Sequence, residues 1–348
     1  MKRSTIFSFS VVVLVIATTL QASASAAATS GPRVTALVLQ PSRFETGKSY
    51  SLLPKTEELT EGDAAPLYDK AVADMPQNMN TGQLRQWTRV PLAELPQGQV
   101  QAFLQQAQPT LQSIAKADRC KSCTWPAFQA GTMPSNLSAY RQLTYIVCLK
   151  ARLEIARKQY DAALATMQSG LAMARHIGDA PTIIQGLVGL AMASMVFRSV
   201  DDLAQAPGSP NLYAGLKALP TPLIDLEKPI AAELKALESN TQYNALVRNQ
   251  MRKQMEEGFV GVRRTSSRSA AEIDARQCIE ALRHYAATHD GKLPAQLGDI
   301  AGVELPNDPV TQKPFMYSLD GTKALLETSV PEGGRPRDAM RYEITVAR

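Results

Sequence analysis

The residues best suited by type to chemistry fall in three places. Cys120 and Cys123 form a CxxC, the spacing at which one thiolate attacks a disulfide and the second thiol resolves the mixed species. A redox site of that kind wants the motif where a strand meets a helix N-terminus, which lowers the attacking thiol's pKa. Here it follows a helical pattern and precedes Trp125 and Pro126, so a structural disulfide between Cys120 and Cys123, or a reduced pair, is the simpler reading. Thr124 stands where covalent haem attachment requires histidine, and three histidines offer no companion pair at zinc-finger spacing.

Glu280 and His284 share one helix face, with His289 and Asp290 just beyond, so a metal or acid–base cluster could be built there. The two histidines lie about 140° apart on an ideal helix, a poor chelating geometry. Asp299, Asp308 and Asp320 could hold calcium beside strands, although they lack the dense acidic alternation of an EF-hand loop. Asp308, between Asn307 and Pro309, also suits a turn in which its carboxylate accepts backbone donors. His176 closes a helical run beside Arg175, where a cation would favour the helix end. The sequence holds no nucleophile elbow, phosphate-cradling loop, zinc-protease helix or cofactor fingerprint.

These residues sit in a chain of 348, long enough for about two domains. Hydrophobic residues make up 45% and charged residues 20%, a balance that supports a packed core and excludes a disordered chain or a polytopic membrane protein. Residues 1–26 read as a secretory signal peptide: Lys2 and Arg3, an apolar run from Ile6 to Leu20, then the small residues Ala24, Ser25 and Ala26. The competing reading is an uncleaved anchor, for which the run is short. Cleavage lowers the net charge from +5 to +3, too mild a surplus for a nucleic-acid protein. The mature chain is therefore expected in the periplasm or outside the cell, with no later segment of spanning length free of charge and proline.

Residues 27–61 show no sustained helical period and read as a linker or arm. Residues 62–262 read as a helical domain. Asp63 and Pro66 open a first helix, and Pro109 breaks an amphipathic run between Gln97 and Ala117 into a kink or two abutting helices. From Leu137 to Ala204 three helices follow, turning at "RKQYD" and at Gly178, the third starting at Pro181. Ala151, Ala163 and Gly170 would let their axes approach closely. A charged helix extends from Pro222 to Met255, and "EEGFVGVRRTSSRSA" looks like a domain boundary. The cluster from Arg248 to Arg268 is a solvated helix face or a patch for an anionic partner.

Residues 263–348 read as a small α+β unit: a helix to Thr288, then "PFMYSL", "TKALLETS" and "MRYEITV" as an antiparallel sheet with a hairpin turn at Gly321. The stretch "ARLEIARKQYDAALATMQSGLAMAR" resembles a tetratricopeptide repeat, and the order "ALRHYAATHDGKLP" then "LPNDPVTQKPFMYSLDG" resembles the C-terminal half of pseudopilins. True pseudopilins begin with their assembly helix, whereas here about 200 helical residues intervene, so pilin polymerisation is not implied. With "DAAPLYDKAVADMP", the junction "ARHIGDAPTIIQGLVGLAMAS" and the pilin-like tail, the chain from Gly62 onward looks similar to a family of bacterial envelope proteins, a resemblance that brings no activity and no catalytic residues.

The expected protein is thus mainly α: tetratricopeptide-like hairpins or a bundle, then a small α+β unit. Its expected role is binding envelope proteins or peptides, not nucleic acid, with no cofactor, as an accessory of a secretion or pilus-like assembly. The alternative is a periplasmic hydrolase or a CxxC thiol–disulfide protein whose site is scattered through the sequence.

Overall fold

A computed structural model describes residues 31–45, 50–126 and 136–347, so the expected signal peptide lies outside the described residues. The order is β1 (Arg33–Leu39), β2 (Thr60–Asp63), α1 (Ala65–Ala73), α2 (Thr81–Trp87), α3 (Gln97–Gln106), α4 (Gln108–Ala117) and β3 (Cys120–Ser122). Then come α5 (Leu137–Ala156), α6 (Tyr160–Gly178), α7 (Ile183–Ala204), α8 (Tyr213–Lys217), α9 (Glu227–Glu238) and α10 (Ala245–Thr288). The chain closes with β4 (Asn307–Asp308), β5 (Lys313–Pro314), β6 (Met316–Asp320), β7 (Lys323–Glu327) and β8 (Met340–Val346). The protein is mainly α with a small C-terminal sheet.

Local chemistry explains most helix ends. The Asp63 carboxylate accepts the Ala65 amide at the start of α1, whose first turn carries Pro66. Pro109 falls in the first turn of α4, where its missing N–H costs nothing, so the amphipathic run becomes two abutting helices meeting at Ala107. Lys158 takes a positive φ of 59° between α5 and α6. The Thr182 side chain, one residue beyond Pro181, accepts the Gln185 amide and caps α7.

Helices α5, α6 and α7 form the centre of the larger core. A Cβ on Gly170 would stand 2.8 Å from Val196, and one on Gly189 would stand 2.6 Å from the carbonyl of Ala174, so hydrogen in place of a side chain lets α6 approach α7. Among the described residues α7 is the one helix long and apolar enough to cross a membrane, with mean hydropathy 1.6. Its apolar residues face the core: 61% of that stretch is buried in the protein.

Two boundaries differ from the sequence reading. The helix expected from Pro222 to Met255 is interrupted after Glu238, and Asn244 caps α10 by accepting the Val247 amide. Helix α10 then runs 44 residues, about 66 Å, straight through the expected boundary at 262/263. Met255, Phe259 and Val262 are buried in the helical core, and Arg263 forks onto Glu227 of α9 at 2.8 Å. That packing outweighs the helix-weakening cost of Gly258 and Gly261, about 1 kcal/mol each.

Residues 27–61 are likewise more than a linker, because β1 pairs in parallel with β8 from Arg33↔Met340 to Leu39↔Val346. Its partner lies some 300 residues away, beyond the reach of any local pattern. The sheet order is β1-β8-β7-β6, with the expected antiparallel hairpins β6–β7 and β7–β8 and the turn at Gly321, φ 58°. Its inner face packs Leu37, Leu39, Leu326, Tyr342 and Ile344 on the C-terminal half of α10, around Cys278, Ile279 and Leu282.

Candidate functional site: a charged cleft beside a free strand edge

In a parallel ladder each bonded residue uses both its N–H and its C=O toward one neighbour, while the next residue turns both the other way. Arg33 N–H donates to the Ala339 carbonyl and the Leu39 carbonyl accepts from Ala347, so the odd residues of β1 serve β8. Val34, Ala36 and Val38 therefore turn their backbone groups outward, toward a cleft of about 840 Å³ between β1 and helices α5 and α7. At the far end the edge is closed: Gln205 Oε1 accepts the Val38 amide at 3.1 Å and the Ala204 carbonyl accepts the Gln40 amide at 3.0 Å. Over Val34 and Ala36 no partner takes the outward amides or carbonyls among the described residues.

The floor is a set of ion pairs tying four elements together. Arg276 of α10 forks onto Asp201 of α7 with both contacts at 2.8 Å, and its guanidinium lies 5.6 Å from the Phe197 ring. Burial works against the Arg276 charge, and Asp201 outweighs it, so its pKa is raised. Arg152 of α5 meets Asp202 at 2.8 Å and also donates to the carbonyls of Trp87 and Val90, holding the wall after α2 in place. Burial, opposed by Arg152, pushes the Asp202 carboxyl up to about 6. Arg33 of β1 meets Glu272 of α10 at 2.6 Å.

All three floor carboxylates are thus engaged, and the rim carries cations beyond them. Arg89, Lys158 and Arg198 line the cleft, are exposed, and have no carboxylate within ion-pair distance among the described residues. The sequence reading missed this site. Its parts come from β1, the turn after α2, the end of α5 and one face of α7 with its C-cap, where Ser194, Arg198, Asp201 and the capping Gln205 recur at helical spacing. That stripe of polar residues in an otherwise apolar helix was the one local signal.

The residues singled out by sequence are placed apart and tied into the architecture. Glu280 and Arg283 form a fully buried pair, and Glu280 also accepts the Leu212 amide at 2.9 Å. His284 stacks on Phe44 at 3.8 Å and accepts the Phe44 amide through Nδ1; burial and Arg43 lower its pKa. His289 stacks instead on Tyr285. Asp308 accepts the amides of Val310 and Ser329 at 2.8 and 2.7 Å, the turn role open to it from sequence. Asp299 caps its own short turn at Gln296, and among the described residues no group of three potential ligands converges as a metal site. A second cavity of about 380 Å³ touches Asp274, whose carboxyl burial and Asp308 push up to about 6.

All four cysteines are free thiols. Cys120 lies on β3 and Cys123 just after it, short of any helix start; burial, then Asp63, push the Cys123 thiol up to about 12. His176 is not the helix-end cation expected. Burial and Arg175 hold its pKa down at about 4, leaving a neutral ring whose Nδ1 lies 2.9 Å from the Tyr68 hydroxyl. Most of the basic cluster is engaged: Arg252 with Glu238 and Glu256, Arg263 with Glu227, Arg268 with Asp338, Arg248 with two carbonyls.

No family model, no curated protein and no solved structure matches this chain.

Proposed function

We propose that this chain is an exported binding scaffold of the cell envelope and that the cleft between β1 and the helical layer is where it holds polypeptide. The observation that carries this reading is the division of labour in the cleft. Its carboxylates are bound up in ion pairs, while a strand edge and three cations are left for something else. Such groups suit recognition of main chain and charge. Proton transfer or nucleophilic attack would need an acid, base or nucleophile free to react.

The antiparallel trio α5–α6–α7 is compatible with tetratricopeptide-like hairpins, and the helix-plus-hairpin close with a pseudopilin-like unit. Both features favour a part in a multi-protein envelope assembly, such as an accessory of a secretion or pilus-like machine. The thiol–disulfide alternative has less support, since a thiol pushed up to about 12 is a poor attacking group at neutral pH.

A photo-crosslinking amino acid introduced at Arg89 or Gln97, in the cleft, tests the reading in intact cells. Arg141, about 16 Å along α5 from the first cleft residue, Arg152, is the control position. Cleft positions should yield one recurrent envelope protein, its crosslinked segment identified by mass spectrometry, and Arg141 should not. Capture from neither position, with turnover of a small substrate by the purified chain, would replace the scaffold by an enzyme.

A further inference from the structure

We infer that the cleft takes its polypeptide as an added β-strand on the free edge of β1, and that the accepted strand is acidic. This deepens the reading of the chain as a polypeptide-binding scaffold and rests on it.

The edge is open where the cleft is. Between the closed end at Val38 and the start of the strand, Val34 and Ala36 each turn out an amide and a carbonyl, and the Val38 carbonyl joins them. Those groups span about 16 Å of strand, room for a five-residue partner. Exposed strand edges are ordinarily blunted by proline, lysine or a bulge. Here the register with β8 is unbroken, and the middle residue is Ala36, whose methyl leaves the approach clear. A helix laid in the same cleft would leave those amides and carbonyls unmatched, and so would a nucleic-acid backbone, which has no ladder to offer.

An added strand would alternate its side chains. Those on the side of Val34 and Val38, exposed by 55% and 51%, meet valine methyls on the outer face of the sheet. Those on the side of Thr35 and Leu37 turn into the cleft, where Arg89, Lys158 and Arg198 have no carboxylate within ion-pair distance among the described residues. The floor cannot satisfy them, because Asp201, Asp202 and Glu272 already face Arg276, Arg152 and Arg33. A strand with apolar residues at alternate positions and glutamate or aspartate between them matches both faces. That pattern identifies the partner by chemistry: an extended acidic segment of another envelope protein.

The probe is a fluorescein-labelled nonapeptide of alternating valine and glutamate, titrated into the full mature chain by fluorescence anisotropy. Three comparison peptides go with it: one with glutamine for glutamate, and two N-methylated at alternate amides, one set for each edge. We expect saturable binding of the acidic peptide, about tenfold weaker binding of the glutamine peptide, and loss of binding for one methylated edge only. Arg89→Glu with Arg198→Glu should cost about tenfold or more and flatten the salt dependence. Ala36→Pro should abolish binding, since the Ala36 amide faces away from β8 and its loss leaves the ladder intact. If that variant fails to fold, the methylated peptides carry the same test.

Equal binding of acidic and neutral peptides, or of all the methylated ones, overturns the inference, as does no peptide binding at all. Self-association of the chain that Ala36→Pro abolishes overturns it in favour of a second copy as the occupant. Recurrent crosslinking from Arg89 and Gln97 beside any of these results would leave the scaffold standing and remove only the strand. Loss of both would remove the scaffold as well.

Discussion

Arg283 donates to Glu280 at 2.8 Å with both side chains fully enclosed, and the same guanidinium reaches the Gln40 carbonyl at 2.9 Å, the Pro210 carbonyl at 3.0 Å and the Ser209 hydroxyl at 2.7 Å. The pair therefore ties three separate stretches together: the segment leaving β1, the turn before α8, and α10. A buried ion pair adds little net stability over an apolar replacement, but removing one partner strands the other. Arg283→Met should cost about 3–5 kcal/mol in urea unfolding and raise hydrogen exchange at Gln40 and Ser42. The double variant Arg283→Met with Glu280→Leu should recover much of that loss. No recovery would mean that the carbonyl contacts, not the charge, dominate.

The close crossing of α6 and α7 predicts opposite signs for two glycine substitutions. Gly189→Ala drives its methyl into backbone, with Gly178 Cα at 2.6 Å, so helix axes must separate and a loss of about 1–3 kcal/mol is expected. Gly258→Ala lies on the exposed side of α10 with nothing within 4 Å, and should gain about 0.5–1 kcal/mol from the better helix former. Paired denaturation curves check both at once.

Sequence reading reached the helices and the hairpins because their signals are local. Pro109, the turn at Lys158, the cap region of α7 and Gly321 each act within a few residues of their own position. Strand β1 was hidden for the opposite reason, since its partner β8 comes some 300 residues later and its exposed Val34 and Val38 imitate a surface linker. The continuity of α10 was hidden because Gly258, Gly261 and the serines near 266 weigh against helix locally, while Phe259, Val262 and the Arg263–Glu227 fork decide it tertiarily. The cleft inherits the first failure: it lies between α5 and α7 and the strand that local patterns missed. Asp308, by contrast, was legible as a turn residue, because the proline beside it fixes the chain reversal its carboxylate caps.

The thiols make a chemical prediction. Burial pushes Cys123 and Cys148 up to about 12 and raises Cys120 and Cys278, so at pH 8 each of the four carries less thiolate than an exposed cysteine. Ellman's reagent should react slowly with the native chain and quickly with all four cysteines once urea is added. A count of two in urea before reduction, rising to four after it, would show Cys120 and Cys123 joined as a disulfide instead.

His176 makes the sharpest pH prediction. Burial and the neighbouring Arg175 hold its pKa at about 4, against an unfolded value of about 6.5, with Asp63 pulling weakly the other way. The Tyr68 hydroxyl beside it is buried and its pKa well raised, so it stays protonated and shares a hydrogen bond of 2.9 Å with Nδ1 of the neutral ring. Between those two pKa values the unfolded chain binds a proton that the folded chain does not. Stability from this group is therefore complete above about pH 6.5 and is lost as pH falls toward about 4, with a slope of at most about 1.4 kcal/mol per pH unit. His176→Gln keeps a hydrogen-bonding partner for Tyr68 and removes the titration. Buried acids raised to about 6, such as Asp118 and Asp202, carry the opposite sign, so the informative quantity is the difference between the two proteins at each pH. Urea unfolding from pH 7.5 to pH 4 should show the native chain losing about 2–3 kcal/mol relative to His176→Gln across that range. A difference that stays flat would mean that His176 titrates in the folded protein as it does in the unfolded chain, and one that grows in favour of the native chain as pH falls would mean that the helix-end cation was the right account after all.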